Sequence, residues 1–184
     1  MAVPDFQSLM LLVLRATADG DVSAADLRGR VAAALRLTEA DLAEMLPSGR
    51  QTTFANRTAW ANIFLQRAGL LEKVSRGVYR ITDEGRKVLM EQPERIDMRV
   101  LERYPAYVEW RQRSAGIKPV EGGQRAGPPA EDQTPEEQIE ASHTALTAAL
   151  QSDPLERVRE MSPGFFERLI VDLLIAMGYG GGAR

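Results

Sequence analysis

A 184-residue chain that is 44% apolar and 27% charged, with a net charge of −3, is too hydrophobic to stay disordered and too charged to live in a bilayer. No stretch reaches the roughly 18–20 apolar residues of a membrane span, and the apolar run Leu9–Leu14 follows Asp5 without a basic flank, which argues against a secretory leader. The absence of Cys excludes disulfides, thiolate metal sites and a Cys nucleophile, and a single His argues against His-based zinc and Ser-His-Asp chemistry. The expected class is a soluble cytoplasmic protein of one or two domains with no membrane partner.

In chain order, Asp5 caps a first helix that runs to about Thr17, and Ala18-Asp19-Gly20-Asp21 forms a turn. Ser23 opens a second helix with Leu27, Val31 and Leu35 on one face. Thr38 and Asp41 make a capping box for a third helix carrying Leu42, Met45 and Leu46, closed by Pro47-Ser48-Gly49. A fourth helix spans Thr52 to Ala68, because Phe54, Thr58, Ala61, Leu65 and Ala68 recur on one stripe and Gly69 is placed to end it. Its other flank carries Gln51, Thr53, Asn56, Arg57 and Trp60. Leu71–Val74 and Val78–Ile81 flank Ser75-Arg76-Gly77, a hairpin signal. Thr82 caps the next helix, which holds Gly85, Val88 and Leu89 and stops before Pro93. Residues 94–113 read as one more helix, whose Met98, Leu101, Tyr104, Tyr107 and Trp110 either close the first domain's core, the favoured reading, or form a dimer contact.

Residues 114–135 are dominated by Gly, Pro and polar residues and read as a flexible linker. Residues 136–184 regain helical periodicity as two or three helices, with Leu146, Leu150, Leu155, Val158, Phe165, Phe166, Leu169, Ile170, Leu173 and Leu174 as their apolar set. Helices this apolar expect cover, so partial exposure, self-association or packing on the first domain follows. The expected division is thus a domain at 1–113, a linker at 114–135 and a helical segment at 136–184.

Charge by segment is more informative than the total. Residues 47–92 hold eight basic and four acidic residues, whereas 1–46 hold four and seven, and 134–184 hold four and eight. A polyanion responds to local positive potential, not to overall pI. Three helices followed by a basic hairpin is the order of a winged helix-turn-helix, here with one extra helix ahead of the candidate reading helix, so the expected fold is mainly α with a small β-hairpin. In that arrangement the helix at 52–68 enters the major groove of double-stranded DNA. Arg50, Gln51, Thr52, Thr53, Asn56 and Arg57 then lie where bases and phosphates are met, and Lys73, Ser75 and Arg76 form the wing tip. Each has a plainer reading as an ordinary exposed polar residue, and Trp60 reads better as packing than as a base contact.

The stretches FANRTAWANIFLQRAGLLE (54–72), RGVYRITDEGRKVL (76–89) and SPGFFERLIVDLLIAMGYGG (162–181) resemble the Mrr family of restriction endonucleases. The resemblance implies an N-terminal winged-helix domain that binds DNA, a flexible linker, and a nuclease domain of the PD-(D/E)xK type that uses Mg²⁺. It also implies cleavage of modified, often methylated, foreign DNA. The family's metal-binding Asp and (Glu/Gln)-x-Lys element follow the Gly-rich turn after the first nuclease helix. This sequence stops at Gly180-Gly181-Gly182-Ala183-Arg184, so the expectation is an incomplete nuclease domain that neither cuts alone nor holds a cofactor. Glu167 matches a family position near the metal, but it reads better here as a helix-start charge. Glu167 and Asp172 are about 140° apart on their helix and do not converge. Glu136, Glu137 and Glu140 read as a solvated helix start, and His143 as a solvated or packed side chain.

The leading expectation is therefore a DNA-targeting module of an Mrr-type restriction system, with no catalytic or metal residues of its own. Two rivals stand beside it: a stand-alone transcription regulator dimerising through its C-terminal helices, and a protein-binding winged helix.

Overall fold

The Asp5 carboxylate accepts the Ser8 N–H at 3.0 Å and so opens α1 (Phe6–Ala16), in this computed structural model that describes residues 3–115, 132–160 and 162–178. Leu9, Met10, Val13 and Leu14 of α1 are fully buried, and each contributes about 1.5–3 kcal/mol by leaving water. A turn leads to β1 (Val22–Ser23), and the Ser23 hydroxyl accepts the Asp26 N–H to cap α2 (Ala24–Leu35). Thr38 and Asp41 form the expected reciprocal capping box of α3 (Glu39–Ala43). Thr52 caps α4 (Thr53–Arg67), and Gly69 follows its end at φ +76°.

The expected hairpin is β2 (Leu71–Ser75) and β3 (Val78–Ile81), paired antiparallel with a register shift between Lys73 and Ser75. Gly77 supplies the left-handed residue of its turn, at φ +76°. The hairpin is not alone: β1 joins the far side of β3, with Val22 opposite Tyr79, in a three-stranded sheet of order β1-β3-β2. Thr82 caps α5 (Asp83–Met90) by accepting the Gly85 N–H at 3.1 Å.

The single helix expected over 94–113 is two helices, α6 (Met98–Leu101) and α7 (Pro105–Ala115). Pro105 has no N–H to give and its ring clashes with the turn before it, so the chain restarts there. Both helices serve the core as expected. Leu101 and Tyr107 are buried, while Met98, Tyr104 and Trp110 pack against the cluster. The fold is thus mainly helical with a small antiparallel sheet, in keeping with a winged-helix-like domain followed by helices.

The chain divides into two compact units, 1–140 and 141–184. Most of the expected linker, 116–131, lies outside the described residues. Its last residues, 132–135, belong to the first unit, where Thr134 is fully buried. α8 (Pro135–Glu160) starts in the first unit and continues into the second as one helix through Pro154. In the second unit α9 (Pro163–Ala176) leaves Phe165, Phe166, Val171, Leu173, Leu174 and Ile175 exposed. Among the described residues, no helix is long and apolar enough to cross a membrane.

Two expectations test this packing. A Cβ on Gly85 would sit 2.3 Å from the Leu70 carbonyl oxygen and 2.8 Å from Ile81 Cγ1, so α5 can lie this close to the sheet only with glycine there. Gly85→Ala should therefore destabilise the first unit by about 2 kcal/mol or more, read as a lower denaturant midpoint by circular dichroism. The second concerns Arg80, which donates to both Asp21 carboxylate oxygens, at 2.5 and 2.8 Å, tying β3 to the turn before β1. Those hydrogen bonds hold the Asp21 carboxyl below its usual range. A depressed carboxylate gives stability above its ordinary pKa that is lost as pH falls through the folded value. The melting temperature should thus drop between about pH 5 and pH 2, and Asp21→Asn should drop less over that window.

Candidate nucleic-acid interface

The site is built around α4, and the helix has two sides with different duties. Phe54, Ala61, Leu65 and Ala68 face the core. Asn56 precedes Leu65 by nine residues, which is about 180° around a helix, so it points directly away from that core. The Thr52 hydroxyl accepts the Ala55 N–H, and the incoming backbone is fixed by a bridge between Met45 and Thr52. Leu46 N–H donates to the Gln51 carbonyl and Thr53 N–H to the Glu44 carbonyl, at 3.0 and 2.8 Å. These bonds hold Arg50 and Gln51 at the mouth of the helix.

The expected contact residues fall into two groups. Arg50, Lys73, Ser75 and Arg76 are exposed, and Gln51 and Thr52 are half-buried. Thr53 and Asn56 are buried, with Asn56 only 2% exposed. Arg57 is partly covered: it pairs with Glu137 at 2.8 Å and donates to the carbonyls of Val3 and Pro4. Beside Val3 and Pro4, part of the cover over Asn56 and Arg57 comes from Thr134 and the start of α8. The Thr134 hydroxyl donates to Asn56 Oδ1 at 2.6 Å, and the Trp60 indole N–H donates to Glu136 Oε2. Trp60 also tilts against the Phe64 ring at 6.0 Å, the packing role expected of it.

The same accounting sorts the eight cations of 47–92. Arg57 pairs with Glu137, Arg80 with Asp21 and Glu72, and Lys87 with Glu84. Arg86 donates to the Ala18 carbonyl, and the Arg67 guanidinium lies 5.6 Å from the centre of the Trp110 ring. Arg50, Lys73 and Arg76 are left, exposed and with no ion pair among the described residues. One stands before α4 and two at the wing. Between α4 and the wing runs a shallow polar groove of about 330 Å³, lined by Ile63, Gln66, Arg67, Leu71, Glu72 and Lys73. On α4 itself the face left open is small-sided, with Ala59 exposed and Ala55 half-buried. Backbone and short side chains there allow close approach of a broad, flat ligand.

The residues missed by sequence reasoning are Thr134, Glu136 and Glu137. Thr134-Pro135-Glu136-Glu137 has the form of a capping box with proline at the first helical position. The box closes in the structure, with Thr134 N–H to Glu137 Oε2 at 2.7 Å and Glu137 N–H to the Thr134 hydroxyl at 3.3 Å. That signal was present in the sequence but sat at the edge of a Gly- and Pro-rich run. As for metal chemistry, no group of three or more His, Asp or Glu that could hold an ion occurs among the described residues.

Residues 6–91, which contain α1 to α5, match the Mrr N-terminal domain. The chain is also 29% identical over 188 residues to the type IV methyl-directed restriction enzyme EcoKMrr of Escherichia coli (strain K12). That similarity covers 98% of this chain and 61% of the relative, so the chain spans about three-fifths of the relative's length. No solved structure gives a significant match. The chain thus matches the Mrr N-terminal domain over residues 6–91 and is similar to an Mrr restriction enzyme along nearly all of its own length.

Proposed function

We propose that the first unit binds double-stranded DNA as the targeting module of an Mrr-type restriction system acting in the cytoplasm. The observation that carries this reading is the sorting of cations: Arg50, Lys73 and Arg76 remain exposed and without an ion pair among the described residues, around the mouth of α4 and the wing. A groove edge flanked by unpaired cations is what a phosphate backbone needs. Gln51, Thr52 and Ser75 add neutral donors beside them, and the α4 N-terminus adds a positive helix end. The similarity to a methyl-directed restriction enzyme supports methylated DNA as the substrate class.

The second unit, on this reading, is the helical opening of a nuclease domain. Its support is α9, whose exposed Phe165, Phe166, Val171 and Leu173 call for cover such as a sheet supplies.

Fluorescence anisotropy with a labelled duplex, methylated or unmodified, across a salt series tests the proposal. Log affinity should fall linearly with log salt, with a slope of up to about −2.7 if all three cations each neutralise one phosphate. Lys73→Ala/Arg76→Ala should make that slope shallower by up to about 1.8 and weaken binding to both duplexes alike. The methylated duplex should bind more tightly. Absence of binding at low salt would end the DNA reading.

A further inference from the structure

Residues 132–140 carry four acidic and no basic residues, and they lie on the unit's most basic element. Glu137 takes the Arg57 guanidinium, Glu136 takes the Trp60 indole N–H, and Thr134 takes Asn56. Asp132 accepts from the Gln7 amide at 3.3 Å beside them. Three of these four contacts land on α4, at Asn56, Arg57 and Trp60. Asn56 is 2% exposed beneath them and Thr134 is fully buried. A carboxylate on a guanidinium N–H occupies the same donor, in the same direction, as a phosphate oxygen would.

We propose that residues 132–140 are an autoinhibitory latch, in which Glu136, Glu137 and Thr134 compete with DNA for the Asn56-Arg57-Trp60 face of α4. This rests on the DNA-binding reading above. With the latch closed, DNA meets only Arg50, the mouth of α4 and the wing. With it open, Arg57 and Asn56 join the interface, Arg57 as a further phosphate contact.

The test uses the full chain with Glu136→Gln/Glu137→Gln. Glutamine at 137 keeps the capping hydrogen bond but loses the charge that holds Arg57. Glu39→Gln/Glu94→Gln, whose side chains make no hydrogen bond or ion pair among the described residues, makes the same change in net charge as a control. By anisotropy, the latch variant should bind duplex DNA about tenfold more tightly than the control, as expected when a closed state is removed. Its salt slope should steepen by about 0.9, and adding Arg57→Ala should return the slope to the wild-type value. Hydrogen exchange on the unmutated chain gives a second reading: amides 132–140 should exchange faster when DNA is added.

Equal affinities for latch variant and control, with Lys73→Ala/Arg76→Ala still weakening binding, would overturn the latch and leave the DNA reading standing. Unchanged or slower exchange at 132–140 on adding DNA would overturn it too, since a segment that only completes the domain is not displaced. If neither protein binds DNA at low salt, both proposals fall.

Discussion

Phe64 fixes what α4 is able to do. Its ring stacks on Phe6 of α1 at 5.1 Å and meets Trp110 of α7 edge-on at 5.6 Å, with Trp60 and Tyr107 close by. Such ring pairs add about 0.5–1.5 kcal/mol each beyond the area they bury. α4 therefore cannot roll to show or hide its residues. Its core stripe is committed to α1 and its flank to α7, so its remaining surface is set by geometry. Whether that surface is available depends only on what lies over it, which turns a packing constraint into a question about the residues that follow the domain.

Local signals were legible in the sequence, because the chemistry that writes them is local. Asp5, Ser23, Thr38 and Thr82 each cap a helix, and Gly77 turns the hairpin. What escaped was what depends on distant partners. Val22–Ser23 is too short to show alternation, and it becomes a strand only because β3 offers it an edge. The break between α6 and α7 could have been read from Pro105 but was obscured by the regular apolar spacing on both sides of it.

The candidate site divides in the same way. Counting eight cations located the basic region, but the count treats every cation as free. Which of them are free is a tertiary fact. Arg57 meets a carboxylate eighty residues away, and Arg80 meets one fifty-nine residues away. No window along the chain reveals either pair. Arg50, Lys73 and Arg76 emerge as the set without an ion pair among the described residues only after the others are accounted for, and Asn56, which looked outward by helical phase, proves to be buried and bonded to Thr134.

The cover over α4 has an internal economy that bears on how it would move. Glu137 divides its two oxygens: Oε2 accepts the Thr134 N–H and caps α8, while Oε1 accepts from Arg57. Losing Arg57 therefore does not uncap the helix. A segment held by a single shared group would have to unravel to leave, at a cost of about 1–2 kcal/mol for each residue that must later be reordered. Here the first turn of α8 can lift away as a formed element, with its cap intact, and return to the same seat. The opposing terms include one partly buried ion pair with side chains 22% and 11% exposed, the hydrogen bonds to Asn56 and Trp60, and the one from Gln7 to Asp132. A phosphate backbone offers replacements for the ion pair and for the indole acceptor, so exchange of one anionic partner for another leaves Arg57 and Trp60 satisfied in either state.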